Sequence, residues 1–108
     1  MTDQNTISLE STVVASQNLV SSELGGEAVI MDIKSGVYLG LNATGALIWG
    51  LMQQPRRVSE IRDAVLKEYN VEPVRCQNDV LSLLRQMAAK GLLEIVAAGS
   101  SLTTPLAT

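Results

Sequence analysis

The sequence predicts an α+β fold in which an antiparallel β-meander precedes three helices and a short closing strand. Three observations carry this. Up to residue 41 the apolar residues come in short runs parted by glycine-containing turns, as hairpins require. From residue 43 to residue 90 they recur at helical spacing. No strand-helix-strand alternation and no internal repeat interrupts that order. A chain of 108 residues holds one core of ordinary size. With Tyr38, Trp49 and Tyr69 its only aromatic residues, that core must be built from Leu, Val, Ile, Met and Ala.

Residues 1–11 are polar and unpatterned, and residues 98–108 are small and turn-rich, so both ends are expected to be loose around a domain spanning 12–97. Strand signals follow at Val13 to Ala15, Leu19 to Leu24, Ala28 to Ile33 and Val37 to Leu41. Gly25-Gly26 and Lys34-Ser35-Gly36 join the last three at hairpin lengths, with glycine available where φ must be positive. In the last strand Val37, Leu39 and Leu41 share one face, and Tyr38 and Gly40 the other. Asn42 is a good cap for a helix running to Gln53 or Gln54, where Pro55 stops it. A second helix, roughly 58–69, puts Val58, Ile61, Val65 and Tyr69 on one stripe. Its start is poorly marked, because Arg57 stands where Ser or Thr is wanted; Ser59 would cap a helix one turn shorter. The third helix opens at Glu72-Pro73 and carries Cys76, Val80, Leu83, Leu84 and Met87 on one face, and Gly91 ends it. Leu92 to Val96 forms the closing strand or an extended tail.

The net charge is −3 but unevenly spread: residues 1–55 carry −4, residues 56–90 carry +2, and Glu94 adds the last −1. Most bases of the second half alternate with acids at helical spacing, which reads as a solvated helix face and not as a nucleic-acid patch. The chain has no His, and Cys76 is its one Cys, so it makes no internal disulfide, Cys/His metal site or Cys-His nucleophile pair. Neither metal nor cofactor is expected. No paired carboxylates stand out. Asp32 reads as local turn chemistry, Asp79 as a solvated helix face, and Cys76 as a small buried hydrophobe. Residues 39–45 lack the glycine spacing of a phosphate loop. These absences argue against an enzyme. The N-terminus lacks a basic segment followed by an apolar run, and nothing reaches the length of a membrane span, so a cytoplasmic protein is expected.

What remains is an edge. A meander has two, and the strand Val37 to Leu41 is apolar and uncharged, without the Lys or Pro that usually protects such an edge. Either a helix covers it or a partner strand adds to it.

The run Glu27-Ala28-Val29-Ile30-Met31-Asp32, then Ser35-Gly36-Val37-Tyr38-Leu39-Gly40-Leu41-Asn42, Gly45 and Ile48-Trp49, resembles the PqqD family. These are the small recognition elements of pathways that modify ribosomally made peptides. The likeness extends through Ile61 to Tyr69 and Cys76 to Leu93. Met31 departs from it where Leu is commoner, and Arg57 where a capping Ser or Thr is commoner. The resemblance implies a winged helix-turn-helix-like domain, a three-stranded antiparallel sheet followed by three helices. It implies that the leader of a precursor peptide binds as an added strand, in a groove also lined by the third helix. Carried over, the strand side falls on Val37, Tyr38, Leu39, Gly40 and Leu41, and the helix side on Arg75, Asp79, Leu83 and Gln86. Such a domain delivers substrate to a leader peptidase and cyclase of the lasso-peptide type, to a radical-SAM enzyme, or to another maturase. Lasso-type partners rank first because free-standing domains of this length resemble those.

Two rivals come from other classes. A DNA-binding winged helix needs a basic recognition helix, whereas Arg75, Arg85 and Lys90 here are spread round the third helix beside Glu72 and Asp79. A non-catalytic assembly module would hold an enzyme partner without binding a leader.

Overall fold

The computed structural model describes residues 7–96. Its elements are β1 (Thr12–Ala15), β2 (Leu19–Leu24), β3 (Glu27–Asp32), β4 (Tyr38–Leu41), α1 (Ala43–Leu51), β5 (Arg56–Arg57), α2 (Val58–Glu68), α3 (Pro73–Ala89) and β6 (Leu93–Val96). They form two three-stranded antiparallel sheets, ordered β2-β3-β4 and β5-β1-β6. The α+β architecture of a three-stranded meander and three helices is the one the sequence predicts, with one correction. The first strand leaves the meander and pairs with β5 and β6, Thr12 lying opposite both Arg57 and Val96. Alternation identifies a strand but not its partner. Here Asn18, at a φ of 65°, turns the chain between β1 and β2, and Val13 is buried in the core. The two-residue β5 is too short and too polar to show in a pattern.

Gly25 and Gly26 both have positive φ (64° and 85°), as a two-residue hairpin between Leu24 and Glu27 demands. The β3–β4 turn is held by Asp32, whose carboxylate accepts from the Lys34 N–H (2.9 Å) and whose carbonyl accepts from the Gly36 N–H (2.8 Å). That is the local role expected of Asp32.

The helix ends account for their own boundaries. Asn42 Oδ1 accepts from the Gly45 N–H at 2.9 Å and starts α1. Glu72 caps α3 through the Arg75 N–H, also at 2.9 Å. At its far end the Gly91 and Leu92 N–H groups return to the Ala88 and Met87 carbonyls, with Gly91 at a φ of 75°. The weakly marked start of α2 is explained by the segment before β1. The Val58 and Ser59 N–H groups donate to the Ser11 and Leu9 carbonyls, and the Glu60 carboxylate accepts from the Arg57 N–H. Backbone from a distant segment therefore replaces the missing capping side chain, and Ser59 begins nothing.

The same segment corrects the expected N-terminal boundary. Ile7 is buried, Leu9 packs on the core, and the Ile7 carbonyl accepts from Arg85 Nη2 at 3.0 Å. The packed part thus includes residues 7–11; polar neighbours hid the two apolar side chains from a pattern search. The expectations for residues 1–6 and 97–108 lie outside the described residues.

One core joins the two sheets to the helices. Ala28, Ile30 and Leu41 from the meander meet Ile48, Trp49 and Met52 of α1 and its end, Val58, Ile61 and Val65 of α2, and Cys76, Val80, Leu84 and Met87 of α3. The stripes predicted for α2 and α3 are buried except for Tyr69 and Leu83, which are half-buried. No helix among the described residues is long and apolar enough to cross a membrane.

Candidate functional site

The meander has two open edges, β2 and β4, each paired with β3 alone, and β4 is the one that leads directly into α1. Antiparallel pairs alternate between those that exchange hydrogen bonds and those that do not. The Asp32 N–H donates to the Val37 carbonyl at 2.8 Å, and the register sets Met31 opposite Tyr38 and Ile30 opposite Leu39. The bonded positions are therefore 37, 39 and 41. Tyr38 and Gly40 turn their N–H and C=O groups away from β3, toward the free side. Two donors and two acceptors stand there in strand geometry, ready for a further strand.

Beyond α1's first turn lies a groove of about 740 Å³. Its walls come from three places: Asn42, Thr44, Gly45 and Ile48 at the start of α1; Tyr69 to Glu72 between α2 and α3; and the exposed flank of α3. Arg75, Asp79, Leu83 and Gln86, the four helix residues singled out from the sequence, all line this groove. Its floor is apolar, with Ile48, Val65, Val80 and half-buried Leu83, while Glu72, Arg75 and Asp79 supply a polar rim. Arg75 and Asp79 approach to 4.0 Å on exposed side chains, a contact worth little in water. Cys76 sits buried in the wall, and burial, followed by the Asp79 carboxylate, pushes its thiol pKa above the usual value. A raised pKa keeps it a thiol and not a nucleophilic thiolate.

The five strand residues divide. Gly40 and Leu41 border a second cleft, of about 410 Å³, on the face of the sheet turned away from the helices, and Asn42 lines both clefts. Tyr38 is 67% exposed on that outer face. Leu39 and Leu41 point inward and pack on the core, so what they offer the edge is backbone position. Val37 precedes β4 and spends its carbonyl on Asp32. Reading the sequence missed the Tyr69–Glu72 link and the first turn of α1 as walls. Asn42 was seen only as a cap, and the link only as a break between helices.

Gly45 fixes how closely α1 approaches β4. A Cβ there would lie 3.1 Å from both Cβ and Cδ2 of Leu41, so the helix start seats tightly on the end of the strand. Of the bases on α3, Arg75 faces the groove and Arg85 is tied to the Ile7 carbonyl, which leaves no row of free cations for a phosphate backbone. No group of three or more His, Cys, Asp or Glu residues among those described is placed to hold a metal ion.

Residues 27–93 match the family model described as coenzyme PQQ synthesis protein D (PqqD). The chain belongs to the PqqD family. The matched stretch begins at β3 and ends at the first residue of β6, so it contains the open edge and all three helices. No curated protein matches this PqqD-family chain. Among solved structures it is similar to TbiB1 in complex with the TbiA(beta) leader peptide, at 37% identity and a TM-score of 0.70. The similarity covers 78% of this chain and 98% of TbiB1.

Proposed function

We propose that this protein binds the leader peptide of a ribosomally made precursor as a strand added to β4, and presents that precursor to the enzymes that mature it. The observation that carries the reading is the free β4 edge, with the outward-facing backbone of Tyr38 and Gly40, beside a groove walled by Arg75, Asp79, Leu83 and Gln86. The likeness to TbiB1, which spans nearly all of that chain and was solved with a leader peptide bound, supports it. Strand addition draws affinity from main-chain hydrogen bonds and specificity from pockets for alternate side chains. The edge provides the first and the groove the second.

The protein acts on the leader by holding it, and the chemistry belongs to its partners. Those partners are a leader peptidase and a cyclase of the lasso-peptide type, meeting the complex in the cytoplasm. A leader that orders on binding loses chain entropy, so affinity in the micromolar to high-nanomolar range is expected. The test is a titration, followed by polarisation, of the fluorescein-labelled TbiA(beta) leader peptide and of the leader of any short precursor found encoded nearby. Saturable binding that needs the leader and ignores the core peptide is the expected result. A purified enzyme partner that co-elutes with the protein while the leader fails to bind would overturn it in favour of an assembly module.

A further inference from the structure

The second open edge of the meander, β2, is as unguarded as β4. Of its six residues only Leu19 is half-buried, and Val20 and Leu24 are 44% and 84% exposed. An edge strand is usually blunted by lysine, proline, a bulge or a covering element. β2 contains neither Lys nor Pro and pairs with β3 residue for residue from Leu19 to Leu24. Ser21 and Glu23, which share the core-side face with Ala28 and Ile30, stay exposed, so no helix lies under this strand. We propose that β2 pairs antiparallel with β2 of a second copy of this chain, joining two meanders into one six-stranded sheet. The pairing is independent of leader binding, because β4 remains free at each end of that sheet.

The hydrogen-bond phase of the meander fixes how two β2 strands can meet. Ala28, Ile30 and Asp32 exchange hydrogen bonds with β4, so Glu27, Val29 and Met31 exchange theirs with Leu24, Ser22 and Val20 of β2. The two-residue hairpin at Gly25-Gly26, which takes Leu24 and Glu27 as its bonded pair, sets the same phase. Leu19, Ser21 and Glu23 therefore turn their N–H and C=O groups outward. In a symmetric pair, outward residues must stand opposite outward residues. Two registers that use most of the strand satisfy this, one with its two-fold axis at Ser21 and one with it at Ser22.

The side chains favour the axis at Ser22. There Val20 faces Leu24 of the partner copy on the outer side of the sheet, and symmetry repeats the contact. On the other side Ser21 faces Glu23 of the partner copy, and its hydroxyl can donate to that carboxylate. The outer row of Val20, Met31 and Tyr38 is then continued by an apolar side chain from the second copy. The axis at Ser21 instead sets Val20 against Ser22 and Leu19 against Glu23, apolar groups against polar ones. Because the same edge serves both copies, the pairing closes on itself and stops at a dimer. One strand edge covers far less than the roughly 800 Å² per partner of a standard interface, so a dissociation constant on the order of 100 µM is expected.

The test is sedimentation equilibrium from about 10 µM to about 1 mM, a range that brackets this constant. The mass is expected to rise from 11.5 kDa toward twice that value. Ser21→Pro removes an outward N–H and leaves the β2–β3 ladder whole, so it should weaken self-association at least about tenfold while the protein still unfolds cooperatively. The register is read from single cysteines in a Cys76→Ala background, since Cys76 is the chain's one Cys. Ser22→Cys sets two thiols directly opposite each other within disulfide reach, so mild oxidation should cross-link it at least about tenfold faster than Ser21→Cys. A mass of 11.5 kDa at every concentration overturns the proposal. A mass that climbs past the dimer does so too, since it means open-ended pairing of β2 with β4. Equal cross-linking of the two cysteine variants, or a folded Ser21→Pro protein that associates as the parent does, also overturns it. Should Ser21→Pro fail to fold, the mass of the parent and the cysteine pair decide.

Discussion

Replacing Gly40 by proline strikes the open edge without touching the ladder behind it. The Gly40 N–H faces away from β3, so proline deletes no bond of the folded sheet, and the preceding Leu39 is already in the extended conformation that proline imposes on its neighbour. With open space where the ring begins, the folded domain should lose at most about 1 kcal/mol. Binding fares differently. One of the two outward donors disappears, and a peptide carbonyl that would have met it is left without a partner in a half-enclosed site, at a cost of about 1 to 3 kcal/mol. At about 1.4 kcal/mol per decade the leader should bind roughly five- to 150-fold more weakly. Leu39→Pro is the informative contrast, because the Leu39 N–H faces β3: it should cost stability, with loss of binding following from loss of fold. The assay is polarisation of a labelled leader, with thermal unfolding by circular dichroism on the same samples. A folded Gly40→Pro protein whose leader affinity stays within twofold of the parent would refute addition at β4.

Three further outcomes are expected. Trp49 is only 7% exposed and packs in the shared core, so Trp49→Ala should cost about 3 to 5 kcal/mol, read by denaturant unfolding. Leu83 is half-buried in the groove wall, so Leu83→Glu should weaken the leader about tenfold or more while the protein still melts cooperatively; unchanged affinity would move the contact off α3. Burial raises the Cys76 pKa, so above the unfolded thiol's value of about 8.5 the unfolded chain gives up a proton that the folded chain keeps, and stability falls as pH rises further. Melting temperatures from pH 7 to pH 10 should show that decline, and Cys76→Ala should flatten it.

Much of this was legible in the sequence because the signals were local. Asn42, Glu72-Pro73 and Gly91 mark helix ends through contacts made within a few residues, and Gly25-Gly26 fixes a hairpin through its own φ angles. The family resemblance put Arg75, Asp79, Leu83 and Gln86 on the groove side of α3, where all four lie, whereas the apolar spacing alone counted Leu83 with the core stripe. What could not be read was set by distant parts of the chain. The start of α2 is satisfied by carbonyls of Leu9 and Ser11, and the neighbours of β1 are Arg56-Arg57 and Leu93–Val96. The groove's second wall escaped notice for the same reason, since Thr44 and Tyr69 come to line one groove only through the packing of the helices.

The placement of β1 between β5 and β6 has a consequence for how the molecule is made. Thr12 pairs with Val96, so two strands from opposite ends of the described chain share a ladder that the meander and helices all intervene to separate. During synthesis the β2-β3-β4 hairpins close over short loops and form early, whereas β1 has only the two-residue β5 to pair with until β6 leaves the ribosome. Until then the apolar Val13 and Val14 have no central place in a sheet and stand open to other chains. The nascent protein is thus most vulnerable to aggregation late, in the interval between completion of α3 and arrival of β6.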